Sequence, residues 1–552
     1  MNKAAAGSVA GRLWSRGHEI LLGRSSSENR RHLLRVCGPD AASFLQGLVT
    51  CDMLAERKPL SNAVKSSDGG VDTTTPRKLQ SATFLTSKGR ILSDALLWRD
   101  IPSGIAGHGK DGKEGECILI ELPGTSAADE VANHLKQYKL RRTKVDVKDV
   151  SSSSDGDPEL SLTCIYGTLL AKGDSPRSDD LAVSLDPRHP SLGVRAISSR
   201  PGGISSAIDK SAFPESNGTY EVLRLLSGVA EGGEVAGRMP LECNLDLYRN
   251  FSAAVSPDTD AKTGGGEEDE MISFSKGCYL GQETTARAFH KGVVRKRILP
   301  IILLEDGGEC EDVETPGLWL AAVDVAREAV RRQKEAEDEA KIDIEEQSSV
   351  DNEEEDLEDE EYEDDDDEYE DDDYEDDEYE QDEYEGKFSN DKIEPFVPPL
   401  PLPRLSSSDA AIAMQLLQER SRSDMPDNAD DKEDHLSSVS KLAAEKAFIS
   451  VPTGSKIYWA STPSSTKSKA IGEVVAGPLS GTTAILAMMR LDEIMDVKKW
   501  DIRDGSNKVQ IVRPKSSANE NEDNISTTWR IFPYIPLWWP KRFDVIKGKE
   551  VR

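Results

Sequence analysis

The chain has 552 residues, with 102 acidic and 68 basic side chains and a formal net charge of −34. Residues 351–385 hold 27 of those acids and no Lys or Arg; without them the charge is −7, so the acidity belongs to one tract. This balance excludes a generally basic, phosphate-neutralising surface, and the lack of any run of 18 apolar residues excludes a membrane-spanning helix.

Residues 1–31 carry Lys3, Arg12, Arg16, Arg24, Arg30 and Arg31 against Glu19 and Glu28, among Ala, Ser and Gly. That composition predicts an organelle transit peptide, with order beginning near residue 32. His32 to Cys37 reads as a strand. Ala41, Phe44, Leu45 and Leu48 then recur at helical spacing after Pro39-Asp40. Ser81 to Leu85 and Ile91 to Trp98 read as a hairpin around Ser87-Lys-Gly-Arg90, and Cys117 to Leu122 as a further strand. Ser126-Ala-Ala-Asp129 predicts a capping box for a helix whose Val131, Leu135 and Tyr138 share a face. Thr143 to Val150 and Leu162 to Gly167 alternate like strands. Mixed hairpins and helices predict an α+β region over 32–296 rather than a doubly wound sheet.

Polar loops interrupt this pattern at 61–77, 151–158 and 253–270. The largest interruption is an inserted segment over 305–444. It contains a charged helical stretch at 322–347 and the acidic tract 351–385, predicted to be disordered because it has too little apolar area to offset its ordering entropy. Ile298 to Leu304, Lys456 to Ala460, Ile471 to Ala476 and Thr483 to Met488 predict a small β-barrel over 297–304 and 445–513, with Ala447 to Val451 as another strand candidate. Residues 514–552 form an aromatic, Pro-rich tail with no predicted element.

Seven cysteines, at 37, 51, 117, 164, 243, 278 and 310, form no CxxC pair and are odd in number. Their spacing predicts neither a disulfide framework nor a stable metal site, and a reducing compartment. Cys37, Cys117 and Cys164 read as core.

The sharpest local signal is Lys276-Gly277-Cys278-Tyr279-Leu280-Gly281-Gln282-Glu283-Thr284-Thr285-Ala286-Arg287. Gly277 and Gly281 place Cys278 on a tight loop. Glu283 and Arg287, four apart, pair on one helix face. Lys276 and the helix N-terminus would lower the thiol pKa and make Cys278 nucleophilic or metal-competent; the alternative is a small buried hydrophobe. The basic run Lys291 to Arg297 lacks interleaved aromatics and reads as a solvated face, not a nucleic-acid site.

This segment resembles the K-G-C-Y-x-G-Q-E-x-x-x-R signature of the YgfZ-type folate-binding-like proteins. Met239-Pro-Leu-Glu-Cys-Asn-Leu-Asp246 and His290 to Arg297 resemble the mitochondrial branch, which contains iron–sulfur assembly factors. Gly38 to Gly47, Phe84 to Trp98, Asp186-Pro-Arg188 and Tyr220 to Gly232 agree. The resemblance covers about 33–300 and 445–495. It implies the fold of the glycine-cleavage aminomethyltransferase, with two α+β subdomains and a C-terminal barrel around a folate-sized opening.

Two departures weigh against that enzyme's chemistry. Its Asp-Asp pair falls on Ser93 and Asp94, and its pterin-holding Glu falls on Leu226, which cannot accept hydrogen bonds. The resemblance therefore implies a non-enzymatic factor for mitochondrial-matrix [4Fe–4S] proteins. The partners it implies are A-type cluster carriers and client apoproteins, with Cys278 as transient cluster ligand supported by Lys276 and Arg287. Arg224, Glu242, Asn244 and Asp94 would line a folate-like pocket, so the implied cofactors are tetrahydrofolate and a transient iron–sulfur cluster. The alternatives are a folate-dependent aminomethyl transferase and an interaction scaffold.

Overall fold

In the computed structural model the described residues are 17–22, 30–54, 79–106, 116–152, 158–166, 179–200, 203–204, 213–248, 271–291 and 293–305. In the C-terminal part they are 404–407, 410–411, 413–414, 444–460, 469–479, 482–494, 508–514, 526–536, 538–539, 543–544 and 549–550. The chain divides into two compact units, Met1–Ala326 with Leu400–Arg552, and Arg327–Pro399. The second unit lies outside the described residues, as do the acidic tract, the charged stretch 322–347 and the polar loops at 61–77 and 253–270.

In chain order the first unit begins with β1 (Gly17–Leu22), β2 (His32–Gly38), α1 (Ala41–Gln46), β3 (Leu79–Leu85), β4 (Ile91–Trp98) and β5 (Glu116–Leu122). There follow α2 (Thr125–Tyr138), β6 (Asp146–Asp149), β7 (Ser161–Tyr166), β8 (Leu181–Leu185), β9 (Val194–Ser198), α3 (Thr219–Leu226) and α4 (Gln282–Lys291). Two antiparallel sheets result, ordered β3-β4-β5-β2-β6 and β1-β7-β9-β8. Two-residue alternation buries both faces of the first sheet. Phe84, Leu97, Ile118 and Ile120 pack with Val131 and Leu135 of α2, while Leu85, Leu96, Trp98 and Leu119 turn to the central core.

Within the α+β region three expectations are corrected. β1 lies inside the predicted transit peptide: Leu21 and Leu22 are fully buried, and the Glu19 carboxylate accepts from the Gly218 and Tyr220 amides at the start of α3 (3.0 and 3.1 Å). A carboxylate there satisfies orphan helix N–H groups. Residues 17–22 and 30–31 thus belong to the fold, whereas 1–16 and 23–29 lie outside the described residues. The capping box does not form: α2 starts at Thr125 behind Gly124 (φ +89), with no side-chain cap.

Cys37 and Cys117, read as free core thiols, stand directly opposite each other on β2 and β5 and form a disulfide. They are 80 residues apart in sequence, so only the strand register brings them together. Reducing the oxidised protein is expected to lower its stability by roughly 2–4 kcal/mol. A fall in the urea midpoint on adding dithiothreitol would show it; an unmoved midpoint would mean that the site holds two thiols.

A closed six-stranded barrel follows, ordered β10-β14-β13-β12-β15-β16. The first four of these strands in sequence are β10 (Lys296–Glu305), β12 (Lys456–Trp459), β13 (Gly472–Ala476) and β14 (Ala484–Arg490), and a two-residue strand β11 (Arg404–Leu405) lies between β10 and β12 in sequence. β15 (Lys508–Val512) and β16 (Ser526–Pro533) complete the barrel, and β17 (Ile535–Pro536) follows outside it. Leu299, Ile301 and Leu303 of β10 point into the barrel, and Ile298, Ile302 and Leu304 into the central core.

The aromatic tail is more than an appendage: β16 pairs with β10 and closes the barrel, with Trp529 buried inside it. Residues 444–450 are helical rather than extended, since Ala444, Ala447 and Val451 are the buried apolar positions and repeat at helical spacing. The inserted segment re-enters the fold at its C-terminal side. There β11 pairs in parallel with β17, and Leu405, Ala410, Ala411 and Met414 join the central core. Among the described residues no helix is long and apolar enough to cross a membrane.

Candidate functional site

The signature segment lies against the turn that follows α1. Gly277 (φ +92) and Gly281 (φ +79) bracket Cys278 in backbone conformations that L side chains rarely adopt. A Cβ on Gly281 would stand 2.5 Å from the Thr86 carbonyl, so the β3–β4 turn packs directly on the loop. Between the two glycines the Cys278 thiol is exposed while Tyr279 is buried. The buried-hydrophobe alternative for Cys278 is therefore overturned.

The loop is stitched to residues 46–52. The Leu280 amide donates to Gly47 O (3.0 Å) and the Ser273 amide to Thr50 O (2.9 Å). The Thr50 hydroxyl donates to Met271 O (2.7 Å). The Gln46 amide reaches Asp52 and, at 3.4 Å, Lys276 O. α4 begins at Gln282, and its Glu283 and Arg287 form the predicted i,i+4 pair. That pair is open to solvent, with 85% and 69% of the side chains exposed, so it contributes little to stability.

Lys276 departs from expectation. Its ammonium donates to the carbonyls of Gln46, Val49 and Cys51 at 2.6, 2.6 and 2.7 Å and lies 4.8 Å from the centre of the Tyr279 ring. An ammonium has three N–H donors, and all three are taken. None remains for Cys278, so Lys276 does not activate the thiol by direct contact. Burial pulls the Lys276 pKa down to about 8, opposed by the nearby Cys51 and Asp52.

Cys243 sits fully buried in a short 3-10 turn, its thiol pushed well up by burial. It forms no disulfide with the exposed Cys278. Nor is the basic run uniformly solvated: Arg297 is buried and pairs with Asp246 (2.9 Å for both nitrogens) and with Leu241 O (2.8 Å).

Of the four residues proposed for a folate-like pocket, Arg224, Asp94 and Asn244 are engaged by other groups of the protein, and the buried Oδ1 of Asn244 has no partner. Arg224 gives its donors to Glu221, Glu234 and Val229 O, in five bonds of 2.6–3.0 Å. A guanidinium has five N–H donors, so none is left for a ligand. Asp94 is buried and accepts the Gly232 amide at 2.7 Å; burial, and then Glu231, push its carboxyl upward. Asn244, in the left-handed region at φ +65, donates to Ile298 O at 2.8 Å. Glu242 is half-buried. Leu226 is fully buried core.

Sequence reasoning missed the buried charge network behind that region. Arg195 bonds Glu121, Asp186 (2.7 Å) and the Tyr220 hydroxyl (2.6 Å). Arg188 bonds Asp186 (3.0 and 2.8 Å), Glu231 (2.6 Å) and the same hydroxyl (2.8 Å). Arg31 bonds Glu121 at 2.8 Å and lies 3.1 Å from Glu231 in a geometry that serves charge rather than hydrogen bonding. Burial alone would raise Glu231, but Arg31, Arg188 and Arg224 reverse this and hold it well below the carboxylate range. The available signal was a charge at a core-facing strand position, as with Glu121 among Ile118 to Leu122.

Among the described residues no group of three or more His, Cys, Asp or Glu could hold a metal ion. The signature loop presents one exposed thiol, Cys278, on a backbone seated against residues 46–52.

No protein-family model matches the chain. It is 32% identical over 293 residues to the mitochondrial iron–sulfur cluster assembly factor IBA57 homolog of Pyricularia oryzae, covering 51% of this chain and 58% of that protein. The homolog of Chaetomium globosum is 32% identical over 291 residues, covering 50% and 55%. That of Dictyostelium discoideum is 28% identical over 311 residues, covering 53% and 64%. The chain thus spans less than two thirds of the length of these relatives. Among solved structures, the glycine cleavage system aminomethyltransferase T of Bartonella henselae aligns with a TM-score of 0.35 at 13% identity, over 54% of this chain and 70% of that one. The similarity to assembly factors agrees with the resemblance carried by the signature segment.

Proposed function

We propose that this chain is a mitochondrial iron–sulfur cluster assembly factor acting in the matrix on [4Fe–4S] proteins, and that Cys278 is its transient ligand to the cluster. The observation that carries the reading is an exposed thiol between two glycines, on a loop seated against residues 46–52. A thiolate is the usual ligand of cluster iron, but one thiol does not hold a cluster. The remaining ligands come from partners, for which A-type carriers and the client apoproteins are the fitting class. The cluster is cargo: Cys278 releases its proton to solvent, displaces one carrier thiolate from an iron, and is itself displaced and reprotonated when the client's cysteines lose their protons and take over that iron.

The aminomethyltransferase alternative is not favoured, because Arg224 has no free donor and Leu226 replaces the pterin-holding carboxylate. Depleting the protein in its own cells tests the reading. A mitochondrial [4Fe–4S] enzyme such as aconitase is expected to lose most of its activity while a [2Fe–2S] protein keeps its own. Equal retention of both activities would remove the assembly role.

A further inference from the structure

We propose that Lys276 is a positioning residue: its ammonium is a tethered cation in a seat of three backbone carbonyls, and it fixes the loop that presents Cys278. The inference rests on the role given to Cys278 above. It concerns how the thiol is placed rather than how it is charged.

The seat is built from one turn. Gln46 is the last residue of α1, where carbonyls lack intrahelical partners, and Val49 and Cys51 follow within five residues. Their three oxygens converge on Nζ at 2.6–2.7 Å, and the Tyr279 ring lies 4.8 Å away. An ammonium is a compact point charge with rotatable donors and matches converging oxygens; a planar guanidinium fork does not.

The bonds run both ways, since the Gln46 side chain returns one to Lys276 O and the Leu280 amide reaches Gly47 O. Cys278 lies two residues beyond Lys276, with Gly277 between them. Glycine leaves the backbone pliable, so a thiol in a defined place needs an anchor outside the loop. The side chain that supplies the anchor is half-buried while the thiol is exposed, which separates anchoring from activation.

The test uses the purified full-length protein with Lys276→Ala and Lys276→Arg. Hydrogen exchange of residues 276–281 is expected to speed up about tenfold or more in both, the scale for losing bonds from a charged donor. Ethylammonium should restore protection in Lys276→Ala, because it fits the vacated seat and donates. Tetramethylammonium, which cannot donate, should not. The pH midpoint of Cys278 alkylation by iodoacetamide should stay where it is in the wild type.

Unchanged exchange in Lys276→Ala would overturn the proposal. So would equal rescue by both ammonium ions, which would be an ionic-strength effect, or an alkylation midpoint raised by a full unit, which would mean that Lys276 acts on the thiol by charge. If Lys276→Ala does not fold, Lys276→Met retains the apolar stem and is read by the same exchange experiment. A loosened loop in Lys276→Ala together with full client maturation by Cys278→Ser in cells would leave the anchor standing and remove the role of Cys278.

Discussion

Replacing Arg195 by Met is expected to lower the stability of the fold by roughly 3–5 kcal/mol, the range for removing one partner of a buried ion pair. Arg195 is fully buried on β9. It joins Glu121 of β5 in the first sheet to Asp186, beside its own sheet, and to Tyr220 of α3. Without it Glu121 keeps Arg31 and Asp186 keeps Arg188, but each carboxylate loses half of its compensation in a dry interior. Methionine fills much of the volume, so the deficit measured is electrostatic. Arg287→Met on the exposed face of α4 is the control and should stay within about 0.5 kcal/mol.

The same network sets the acid limb of stability. Burial would raise Asp186, but Arg188 and Arg195 overcome this and depress its pKa below the ordinary carboxylate range. A depressed carboxylate contributes stability that is present above its unfolded pKa, near 3.9, and lost as pH falls through the lower folded value. Arg195→Met removes part of that depression, so acid unfolding should begin at higher pH than in the wild type. Urea midpoints measured from pH 7 down to pH 3 decide it. A loss below about 1 kcal/mol at pH 7, with an unmoved acid limb, would mean that the network relaxes around the missing guanidinium.

The second large effect is functional. Cys278→Ser should abolish rescue of [4Fe–4S] enzyme activity in cells depleted of the wild-type chain. It should leave stability within about 0.5 kcal/mol, because the thiol is exposed and has no packing role. Cys243→Ser should do the reverse: Cys243 is fully buried, so a hydroxyl there destabilises while client activity falls only in step with the amount of folded protein. Full rescue by Cys278→Ser would sink the ligand role and leave the signature loop as a brace between the sheets. Partial rescue proportional to protein level would point the same way.

Much of this was legible in the residues themselves. The strands from His32 to Trp98, the helix carrying Val131 and Leu135, and the Glu283–Arg287 pair all follow from local periodicity, and the structure has them. Cys278 stood out because glycines on both sides of a thiol specify a tight, presenting loop. Where short-range reading failed, a partner far along the chain decided. Ala447 sits in a helix whose face the barrel selects; the start of α2 behind Gly124 is the local exception.

The chain's own patterning determined the α+β class, the barrel's first strand and the loop that presents Cys278, because each depends on neighbours within a turn or a hairpin. Only the tertiary structure decided that Lys276 turns inward to three carbonyls, that Arg224 has no donor to spare, and that Cys37 meets Cys117. It likewise decided that the aromatic tail returns to close the barrel on β10. These outcomes depend on which distant groups share a buried, low-dielectric space, where every donor and charge must find a partner. Local spacing does not encode that assignment.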